Sequence, residues 1–252
     1  MPAIEAADRE ATRYPAAELR QRIDDFDWWY HTQELAPGVV TPGMFDLRPY
    51  VGQYGIPRDL GGKRVLDVGT FEGFWAFEFE RRGAEVVGLD VDRLQDLDWP
   101  PRLRPTDDGR RGEGFRIARQ ALGSSVERAA LTVYEATPER LGHFDLVFCG
   151  SILIHLRDPM LALERMAALC RERFILADEY SRRLALLPFA AAEFRGHTPW
   201  MTWWRPSPRT LKRMVHTAGF EEVRAVRRFQ LRFRGQRRAV PHLVIHARGT
   251  GG

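Results

Sequence analysis

The sequence predicts an α/β fold built on a mostly parallel sheet that helices cover on both faces. Near-continuous apolar runs such as RVLDVG (64–69) and FDLVFCG (144–150) alternate along the chain with helical patterns. Strands that are apolar throughout are typical of parallel sheets buried on both faces. A glycine-containing turn, GTFEG (69–73), joins the first of these strands to a helix. Together these observations indicate a doubly wound, Rossmann-like sheet.

The charge of the chain is a weak guide to its partners. The 252 residues include 38 Lys and Arg against 34 Asp and Glu, a formal charge of +4. Only Lys63 and Lys212 are lysines, and asparagine does not occur. Because coding bias in a GC-rich genome depletes lysine and asparagine together, we interpret the arginines mainly as a genomic signature. A nucleic-acid partner is therefore possible but disfavoured.

Composition also restricts the class of protein and its cellular location. With 44% hydrophobic residues the chain can bury a full core. No apolar run approaches the roughly 20 residues of a membrane span, and the N-terminal stretch lacks the apolar core of a secretory signal. Cys149 and Cys170 lie in apolar stretches, which predicts neither a disulfide framework nor a metal site. We expect a soluble, cytoplasmic protein without a membrane partner.

The N-terminal part predicts an arm and lid segment (1–60) in front of the main domain (61–252). The segments in chain order are a loose arm (1–14), a short helix (15–26), an aromatic cluster (28–31) and a stretch rich in proline and glycine (34–43). The helix would present Leu19, Ile23 and Phe26 on one face. The prolines and glycines argue against regular structure in the last segment.

The main domain alternates between strand and helix patterns. Predicted strands cover 64–69, 84–92, 131–136, 144–150 and 173–178; predicted helices cover 73–83, 112–123 and 158–172; and 99–112 is a predicted loop. An irregular insertion (181–206) follows, and then a helix with Ser207 as its N-cap and Gly219 as its C-terminal stop. Two strand-like runs, 221–233 and 239–247, end the chain as an antiparallel pair.

The turn after the first strand indicates a nucleotide-handling site. Asp67, Gly69 and Gly73 lie where the strand ends and its helix begins, and glycines there let the backbone approach a ligand closely. Asp90 ends the next strand. A carboxylate in that position can accept two hydrogen bonds from a ribose diol.

Two cofactors use this geometry, and the residues of the turn discriminate between them. A dinucleotide needs a helix N-terminus that faces its pyrophosphate, but here Phe71 replaces the middle glycine and Glu72 adds a negative charge. S-adenosylmethionine has no phosphate and carries an ammonium and a sulfonium group, so it tolerates the acid. The turn therefore favours S-adenosylmethionine over NAD. The alternative is a strand–helix turn with no ligand.

With these residues identified, the chain resembles the class I S-adenosylmethionine-dependent methyltransferases. More narrowly, it resembles the branch of bacterial tRNA wobble-uridine methyl- and carboxymethyltransferases and related secondary-metabolite enzymes. The segments that carry the resemblance are WYHTQEL…GVVTPG (29–43), LDVGTFEGFWAFEFERRGAEVVGLD (66–90), FDLVFCGSILIHLRDP (144–159) and WWRPSPRTLKRMVHTAGF (203–220). The second segment is specific, whereas HLRDP recurs across the superfamily. The resemblance implies the class I methyltransferase fold.

The resemblance also implies a set of cofactor contacts. Asp90 would hold the ribose hydroxyls, Glu135 at the end of the third strand would lie near the adenine amino group, and residues 149–151 would lie beneath the sulfonium. The implied cofactor-binding residues are Trp29, Tyr30, Asp67, Gly69, Thr70, Phe71, Asp90, Val91, Glu135, Ala136, Cys149, Gly150 and Ser151.

One departure from the wobble-uridine enzymes concerns the donor. Enzymes of that branch that use carboxylated S-adenosylmethionine carry a tyrosine just before the HLRDP histidine and a lysine near the lid. Here the first position is Ile154, and no lysine precedes Lys63. The resemblance therefore implies the ordinary methyl donor.

Methyl transfer from a sulfonium mainly requires alignment of the nucleophile and exclusion of water, and a base only where the nucleophile is protonated. Three residues are candidates for the catalytic role. His31 lies in the lid with Glu34 three residues on, His155 follows the fourth strand, and Glu179 ends the fifth. Each has an alternative role: a bond to the main chain for His31, packing for His155, and a bond to the site backbone for Glu179.

The acceptor is expected to bind beside the insertion. Three tryptophans in an irregular stretch favour an apolar or aromatic substrate pocket over a core, and His197 and Arg205 could contact a carboxylate or phosphate. The predicted substrate-binding residues are Tyr180, His197, Trp200, Trp203, Trp204 and Arg205.

Three functions remain open from the sequence. The first is methyl transfer to an O or N atom of a small molecule in a biosynthetic or tailoring pathway. The second is tRNA modification, to which the arginines of residues 224–238 could contribute, although they alternate with apolar residues like one solvated face of a strand pair. The third is a non-methylating use of S-adenosylmethionine, such as cyclisation.

Overall fold

The computed structural model describes residues 4–5, 14–106, 109, 111–197 and 200–250. The strands of this part are β1 (Ile4–Glu5), β2 (Glu34–Ala36), β3 (Val39–Val40), β4 (Arg64–Val68), β5 (Glu85–Asp90), β6 (Glu127–Ala130), β7 (Phe144–Gly150), β8 (Cys170–Glu179), β9 (Ala192–Phe194), β10 (Trp204–Pro206), β11 (Glu221–Arg232) and β12 (Ala239–Arg248). Its α-helices are α1 (Ala16–Asp25), α2 (Phe74–Glu80), α3 (Glu113–Leu122), α4 (Pro138–Leu141), α5 (Pro159–Leu169) and α6 (Pro208–Thr217).

The predicted doubly wound sheet is confirmed. Its strand order is β1-β6-β5-β4-β7-β8-β12-β11. Strands β6, β5, β4, β7 and β8 run parallel, and β12 pairs antiparallel with both β8 and β11. One apolar cluster packs α5 and α6 on one face of the sheet, and a second packs α1, α2 and α3 on the other. The carboxyl ends of the parallel strands therefore meet at one edge, where such folds bind ligands.

Local signals in the sequence explain most element boundaries. The side chains of Leu66 and Val68 in β4 are almost completely buried, as expected for a strand covered on both faces. Helix α6 begins after Ser207, whose Oγ accepts a hydrogen bond from Thr210 N at 3.1 Å. Gly219, with a φ of +106°, follows the helix in a conformation that favours glycine.

The prediction that residues 131–136 form the third strand is wrong. The strand is β6, four residues earlier, and residues 133–135 form a 3₁₀ turn. Two charged residues at the start of β6 hid it from the apolar pattern. One of them, Arg128, is buried because its guanidinium pairs with Asp92 and donates to Val91 O at 2.9 Å.

The lid and the insertion also depart from expectation. Residues 34–43, expected to be irregular, contain the antiparallel pair β2–β3. In the insertion, which was expected to be irregular, β9 and β10 form a second short antiparallel pair, and Leu184–Leu186 form a 3₁₀ turn.

Parts of three predicted segments lie outside the described residues. These are most of the arm (1–3 and 6–13), part of the predicted loop (107–108 and 110) and residues 198–199 of the insertion. The division at residue 60 stays a prediction. Within the described ranges, no helix has the length and apolar character needed to cross a membrane.

Candidate cofactor and acceptor site

A cleft opens at the carboxyl edge of β4, β5 and β6. Its empty volume is about 630 Å³, counting its open mouth. Apolar side chains line most of it, together with the carboxylates of Asp90, Asp96 and Asp98. An apolar wall with a few fixed polar groups is typical of a small-molecule or cofactor site.

The turn after β4 requires glycine at position 69 for two reasons. Gly69 has a φ of +73°, a backbone conformation that is unfavourable for other residues. A Cβ atom there would lie 2.1 Å from the Ile152 Cδ1 atom. The Gly69 N–H donates to Leu89 O at 2.8 Å, so the turn is also tied to β5. The backbone at Gly69 therefore lies close to Ile152, and its close approach to a ligand stays a prediction.

Asp90 presents its carboxylate at the end of β5, as predicted. Oδ2 accepts from Phe71 N at 2.8 Å and Oδ1 accepts from Val91 N at 2.8 Å. Each carboxylate oxygen has a second lone pair, which suits the two hydroxyls of a ribose. Sequence reasoning did not identify Arg111, whose guanidinium lies 4.4 Å from the Phe71 ring centroid and whose Nε lies 4.0 Å from Asp90 Oδ1.

Asp67 and Thr70 form a buried pair beside this turn. Thr70 Oγ1 donates to Asp67 Oδ2 at 2.8 Å. Burial raises the pKa of Asp67 to about 7, although the hydrogen bond from Thr70 and the charge of His31 act to lower it. The described residues that line the cleft include Asp90, Asp96 and Asp98 but no Lys or Arg, so the lining is acidic, although Arg93 pairs with Asp96. It therefore fits a cofactor with ammonium and sulfonium groups better than one with phosphates.

Glu135 and Ala136, which the resemblance places near the adenine, do not line the cleft. Residues 131–134 line the cleft, but Glu135 is turned away. Its Oε2 accepts from Thr132 N at 3.0 Å and Thr132 Oγ1 at 2.8 Å, and its Oε1 lies 3.1 Å from Arg140 Nη1. Ala136 is fully buried in the core. The acid expected at the end of the third strand is therefore a capping residue, because the strand ends before it.

Glu72 fastens the lid to the glycine turn. Its Oε1 accepts from Tyr30 N at 2.8 Å, and its Oε2 lies 2.9 Å from His31 Nδ1. Gln33 Nε2 donates to Glu72 O at 3.0 Å. The partner of His31 is therefore Glu72 and not Glu34, which instead accepts from Gly38 N. Sequence reasoning used Glu72 only as a negative charge and missed this contact.

The aromatic residues of the lid divide between the site and the core. Trp29 is buried and donates from Nε1 to Ile23 O at 3.1 Å, so it belongs to the core beneath α1. Trp28 and Tyr30 instead contact the Phe71 ring, with centroids 5.6 and 5.4 Å away. Burial holds the pKa of Tyr30 well above its usual range. Trp28, which was not predicted, thus contacts the turn, whereas Trp29, an implied cofactor contact, lies in the core.

Ser151 and His242 form a hydrogen-bonded pair at the end of β7. His242 Nδ1 lies 3.2 Å from Val240 O. Because a carbonyl only accepts, Nδ1 carries the proton, and Nε2 accepts from Ser151 Oγ at 3.0 Å. Burial lowers the pKa of His242 to about 4, so the ring is neutral at physiological pH. Ser151, which has a φ of +55°, keeps its oxygen lone pairs for another donor.

The other two residues at this strand end have structural surroundings. Cys149 is fully buried, and burial holds the pKa of its thiol well above the usual range. A Cβ atom at Gly150 would lie 2.8 Å from the Phe148 ring. Of the three predicted residues 149–151, only Ser151 thus has a polar side chain in a position to act. His242 gave no signal in the sequence.

The end of β8 contributes two carboxylates with different surroundings. Asp178 is fully buried and accepts from Leu153 N at 2.8 Å and from Glu179 N at 2.7 Å. Burial raises the pKa of Asp178 to about 7. Glu179, a predicted catalyst, pairs at 3.0 Å with Arg205, a predicted substrate contact. Tyr180 is buried, and its ring lies 5.7 Å from the Arg228 guanidinium.

Two histidines contact residues of the insertion or its neighbours, and only one of them lines the cleft. His155 lines the cleft, and its Nδ1 donates to Met201 O at 3.1 Å. Burial lowers the pKa of His155 and also that of His197. His197 packs between Trp99 and Trp203, with ring centroids 4.9 and 5.5 Å away. Its Nε2 has no hydrogen-bond partner among the described residues.

The predicted tryptophan pocket is only partly assembled. Trp203 donates from Nε1 to Asp98 O at 2.8 Å, and Trp204 donates from Nε1 to Arg157 O at 3.2 Å. Trp200 is 60% exposed. Trp203 therefore holds the insertion against the cleft, whereas Trp200 is free to contact an acceptor.

Comparison of the sequence with known families and proteins finds methyltransferases. A family model described as a methyltransferase domain matches residues 43–225. The ubiquinone biosynthesis O-methyltransferase of Alkalilimnicola ehrlichii is 30% identical over 170 residues, which are 65% of this chain and 56% of that protein. The chain thus spans little more than half the length of this curated relative.

Solved structures share the fold at low sequence identity. The N-terminal domain of EvdMO1 with SAH bound has a TM-score of 0.63 at 19% identity, over 94% of this chain and 98% of that chain. The [4+2]-cyclase SpnF has a TM-score of 0.53 at 16% identity, over 77% of this chain and 79% of that chain.

The family match covers most of the chain, and the strand order, the glycine turn and the acidic cleft agree with it. The narrower relationship to wobble-uridine enzymes stays a prediction. The chain belongs to the class I S-adenosylmethionine-dependent methyltransferases.

Proposed function

We propose that the protein transfers a methyl group from S-adenosylmethionine to an oxygen or nitrogen atom of a small molecule, in a biosynthetic or tailoring pathway. The observation that carries this proposal is the acidic cleft at Gly69 and Asp90, with Ser151 beside it at the end of β7. The name of the relative in ubiquinone biosynthesis supports a small-molecule acceptor.

The residues of the cleft would hold the cofactor by charge and shape. Asp90 would accept hydrogen bonds from the ribose hydroxyls, and Val91 and Leu131 would contact the adenine. Asp67 would face the positive charge of the methionine part. When bound, S-adenosylmethionine supplies an activated methyl group, so the protein needs to align the acceptor and exclude water.

Among the three catalytic candidates, His31 is the best placed to take a proton. Glu179 is paired with Arg205, and burial lowers the pKa of His155, which makes that ring a weaker base. His31 Nδ1 faces Glu72, which orients the ring and leaves Nε2 for the acceptor. Ser151 would accept a hydrogen bond from the acceptor because its own proton is given to His242.

Isothermal titration with S-adenosylmethionine tests the proposal. We expect one site, and the Asp90→Ala variant should bind at least about tenfold more weakly because it loses charge-assisted hydrogen bonds. Asp59→Ala is the matched control, since Asp59 only caps Gly61 N at 2.8 Å. Wild-type protein that binds neither S-adenosylmethionine nor S-adenosylhomocysteine would contradict the proposal. Transfer of label from methyl-labelled cofactor to candidate acceptors would then test the reaction.

Two other functions give distinct results in these experiments. Consumption of the acceptor without incorporation of label would favour a non-methylating reaction, which the fold permits because it also occurs in a cyclase. A tRNA-modifying enzyme would bind RNA with an affinity that falls steeply with salt. The arginines of β11 lie on the edge strand of the sheet, where solvation alone accounts for them.

A further inference from the structure

Three segments far apart in sequence meet beside the end of β8. We call this place the acceptor mouth and define it by Tyr30, Glu179, Trp200, Arg205, Phe233 and Arg238. The Arg238 guanidinium lies 5.6 Å from the Trp200 ring centroid and 4.8 Å from that of Phe233. Phe233 packs on Phe45 at 4.6 Å, and Phe45 packs on Tyr30 at 5.0 Å. The lid, the β11–β12 turn and the insertion are thereby joined.

Positive charge exceeds negative charge in the acceptor mouth. Glu179 pairs with Arg205 at 3.0 Å. Arg238 has no ion pair within the described parts of the chain. Burial raises the pKa of Glu179, while the charges of Arg205, Arg238 and Arg195 lower it. Arg195 is held by Glu193 at 2.8 Å, which leaves two arginines for one glutamate.

Two features of the acceptor mouth lack a partner. The Nε atom of Arg205 is buried and makes no hydrogen bond to the described residues, and an unpaired buried donor is unfavourable. Trp200, at 60% exposure, is a large apolar surface beside a stacked cation. A molecule with an aromatic or other flat part and an anionic group would satisfy both features.

We propose that the acceptor carries a carboxylate or a phosphate, which Arg238 and Arg205 bind while the body of the molecule packs on Trp200. This inference rests on the proposed function, because it assigns the substrate class of the same site. Genomic arginine bias explains the number of exposed arginines, but it does not explain the contacts that Arg238, itself exposed, makes with two aromatic rings.

The test uses simple probes on protein saturated with S-adenosylhomocysteine. Benzoate and phenyl phosphate represent the two anions, and benzamide is a neutral molecule of the same shape as benzoate. We expect at least one anion to bind about tenfold more tightly than benzamide at low salt, as for a charge-assisted hydrogen bond. The tighter anion identifies the group.

Single variants assign the effect to the two arginines. Arg238→Gln and Arg205→Gln should each reduce anion affinity by about fivefold or more, with benzamide affinity unchanged. Arg238→Lys, which keeps the charge without the planar stack, should lose part of the affinity. Arg213→Gln, on an exposed position of α6, is the matched control and should bind as wild type does. Unchanged affinity for S-adenosylhomocysteine shows that each variant is folded.

Several outcomes would overturn the inference. If the three probes bind equally while S-adenosylhomocysteine binds well, the acceptor is not anionic and the proposed function stands. Anion preference that survives in both Gln variants would remove Arg238 and Arg205 from the site. A short single-stranded RNA that displaces phenyl phosphate with a steep salt dependence would assign the arginines to RNA. If S-adenosylhomocysteine does not bind at all, the proposed function and the inference fail together.

Discussion

The cofactor turn (64–90) and the acceptor mouth are built in different ways. In the cofactor turn, backbone geometry and hydrogen bonds between neighbouring strands fix the site, as in the contacts from Gly69 to Leu89 and from Phe71 to Asp90. In the acceptor mouth, side chains from separate segments meet, as in the pair between Glu179 and Arg205. The first kind of site tolerates little change in its backbone, whereas the second can be altered one side chain at a time. This difference explains how one fold holds one cofactor and serves many acceptors.

The largest effect should come from a change in the backbone of the cofactor turn. Gly69→Ala combines an unfavourable φ with a collision against Ile152. We expect the free energy of unfolding to fall by about 2–5 kcal/mol. Affinity for S-adenosylhomocysteine should fall more than about tenfold, since the turn must shift. Urea denaturation and isothermal titration measure the two effects.

Gly38→Ala is the matched control for this prediction. Gly38 has nearly the same φ, +71°, but no heavy atom lies within 4 Å of the position of an added Cβ. The free energy of unfolding of Gly38→Ala should fall only by the cost of the backbone conformation, about 1–2 kcal/mol. Its affinity for S-adenosylhomocysteine should be unchanged. In the Gly69→Ala background, Ile152→Ala should recover part of the affinity. Equal losses for the two glycine variants would mean that close approach to Ile152 plays no role.

The next largest effect tests the contact between the lid and the cofactor turn. Glu72→Gln removes the charge beside His31 Nδ1 while keeping an acceptor for Tyr30 N. We expect a loss of about 1–3 kcal/mol in stability, because a buried polar contact is broken. The lid should also become more sensitive to chymotrypsin at residues 28–30. Thermal unfolding and limited proteolysis would show both changes.

Glu34→Gln serves as the control, because sequence spacing alone paired Glu34 with His31. Its carboxylate is exposed and accepts only from Gly38 N. The variant should unfold and be digested as wild type is. If Glu34→Gln weakened the lid as much as Glu72→Gln, the contact with Glu72 would not be what holds it.

The sequence predicted those parts of the molecule that depend on local chemistry. The strands β4, β5 and β7 follow from apolar runs, and the cap at Ser207 follows from residue type. Strand β6 did not, because burial of Arg128 is possible only through tertiary contacts with Asp92 and Val91. Yet the Thr132–Glu135 spacing is that of a capping box, a signal that could have placed the turn correctly.

The site residues also divide into those that a local motif specifies and those that only tertiary contacts bring into place. Asp67, Gly69 and Asp90 could be found because a strand–turn–helix motif specifies them. His242 could not, because no pattern links a histidine in the last strand to a serine 91 positions earlier. Trp28 and Trp29 show the limit at the level of single positions: adjacent residues point apart, and only packing decides which one enters the core.

A smaller effect concerns pH, and it compares two buried carboxyl groups whose pKa values are both raised. Burial raises the pKa of both Asp67 and Asp178 to about 7. The folded state then binds protons more tightly than the unfolded state, whose Asp pKa is about 3.9. The contribution of each group to stability is therefore greatest below about pH 4 and is lost as the pH rises towards 7. Either Asn variant should show a shallower decline in stability from pH 5 to 7 in urea denaturation.

Cofactor binding should distinguish the two groups. If Asp67 faces the positive charges of S-adenosylmethionine, binding below its pKa of about 7 must expel a proton. Affinity should then fall by up to about tenfold per unit of pH below this value. Asp178→Asn should keep this dependence, because the Asp178 carboxylate accepts hydrogen bonds from main-chain N–H groups, among them those of Leu153 and Glu179. A dependence that persists in Asp67→Asn would place the titrating group elsewhere.

The smallest effect is expected at Glu135, where the sequence and the structure disagree about the cofactor site. Its carboxylate is held by Thr132 and Arg140, outside the cleft. Glu135→Gln should reduce stability by about 1 kcal/mol or less, as for a weakened cap. Its affinity for S-adenosylhomocysteine should stay within about twofold of wild type, by isothermal titration.

Asp98→Asn is the comparison for Glu135→Gln, because Asp98 lines the cleft and accepts from Arg157 N at 2.8 Å. The Asp98→Asn variant should bind S-adenosylhomocysteine more weakly than wild type does. If Glu135→Gln lost affinity and Asp98→Asn did not, the 131–136 turn would have to rearrange around the cofactor. The cofactor site would then depend on individual side chains as much as the acceptor mouth does.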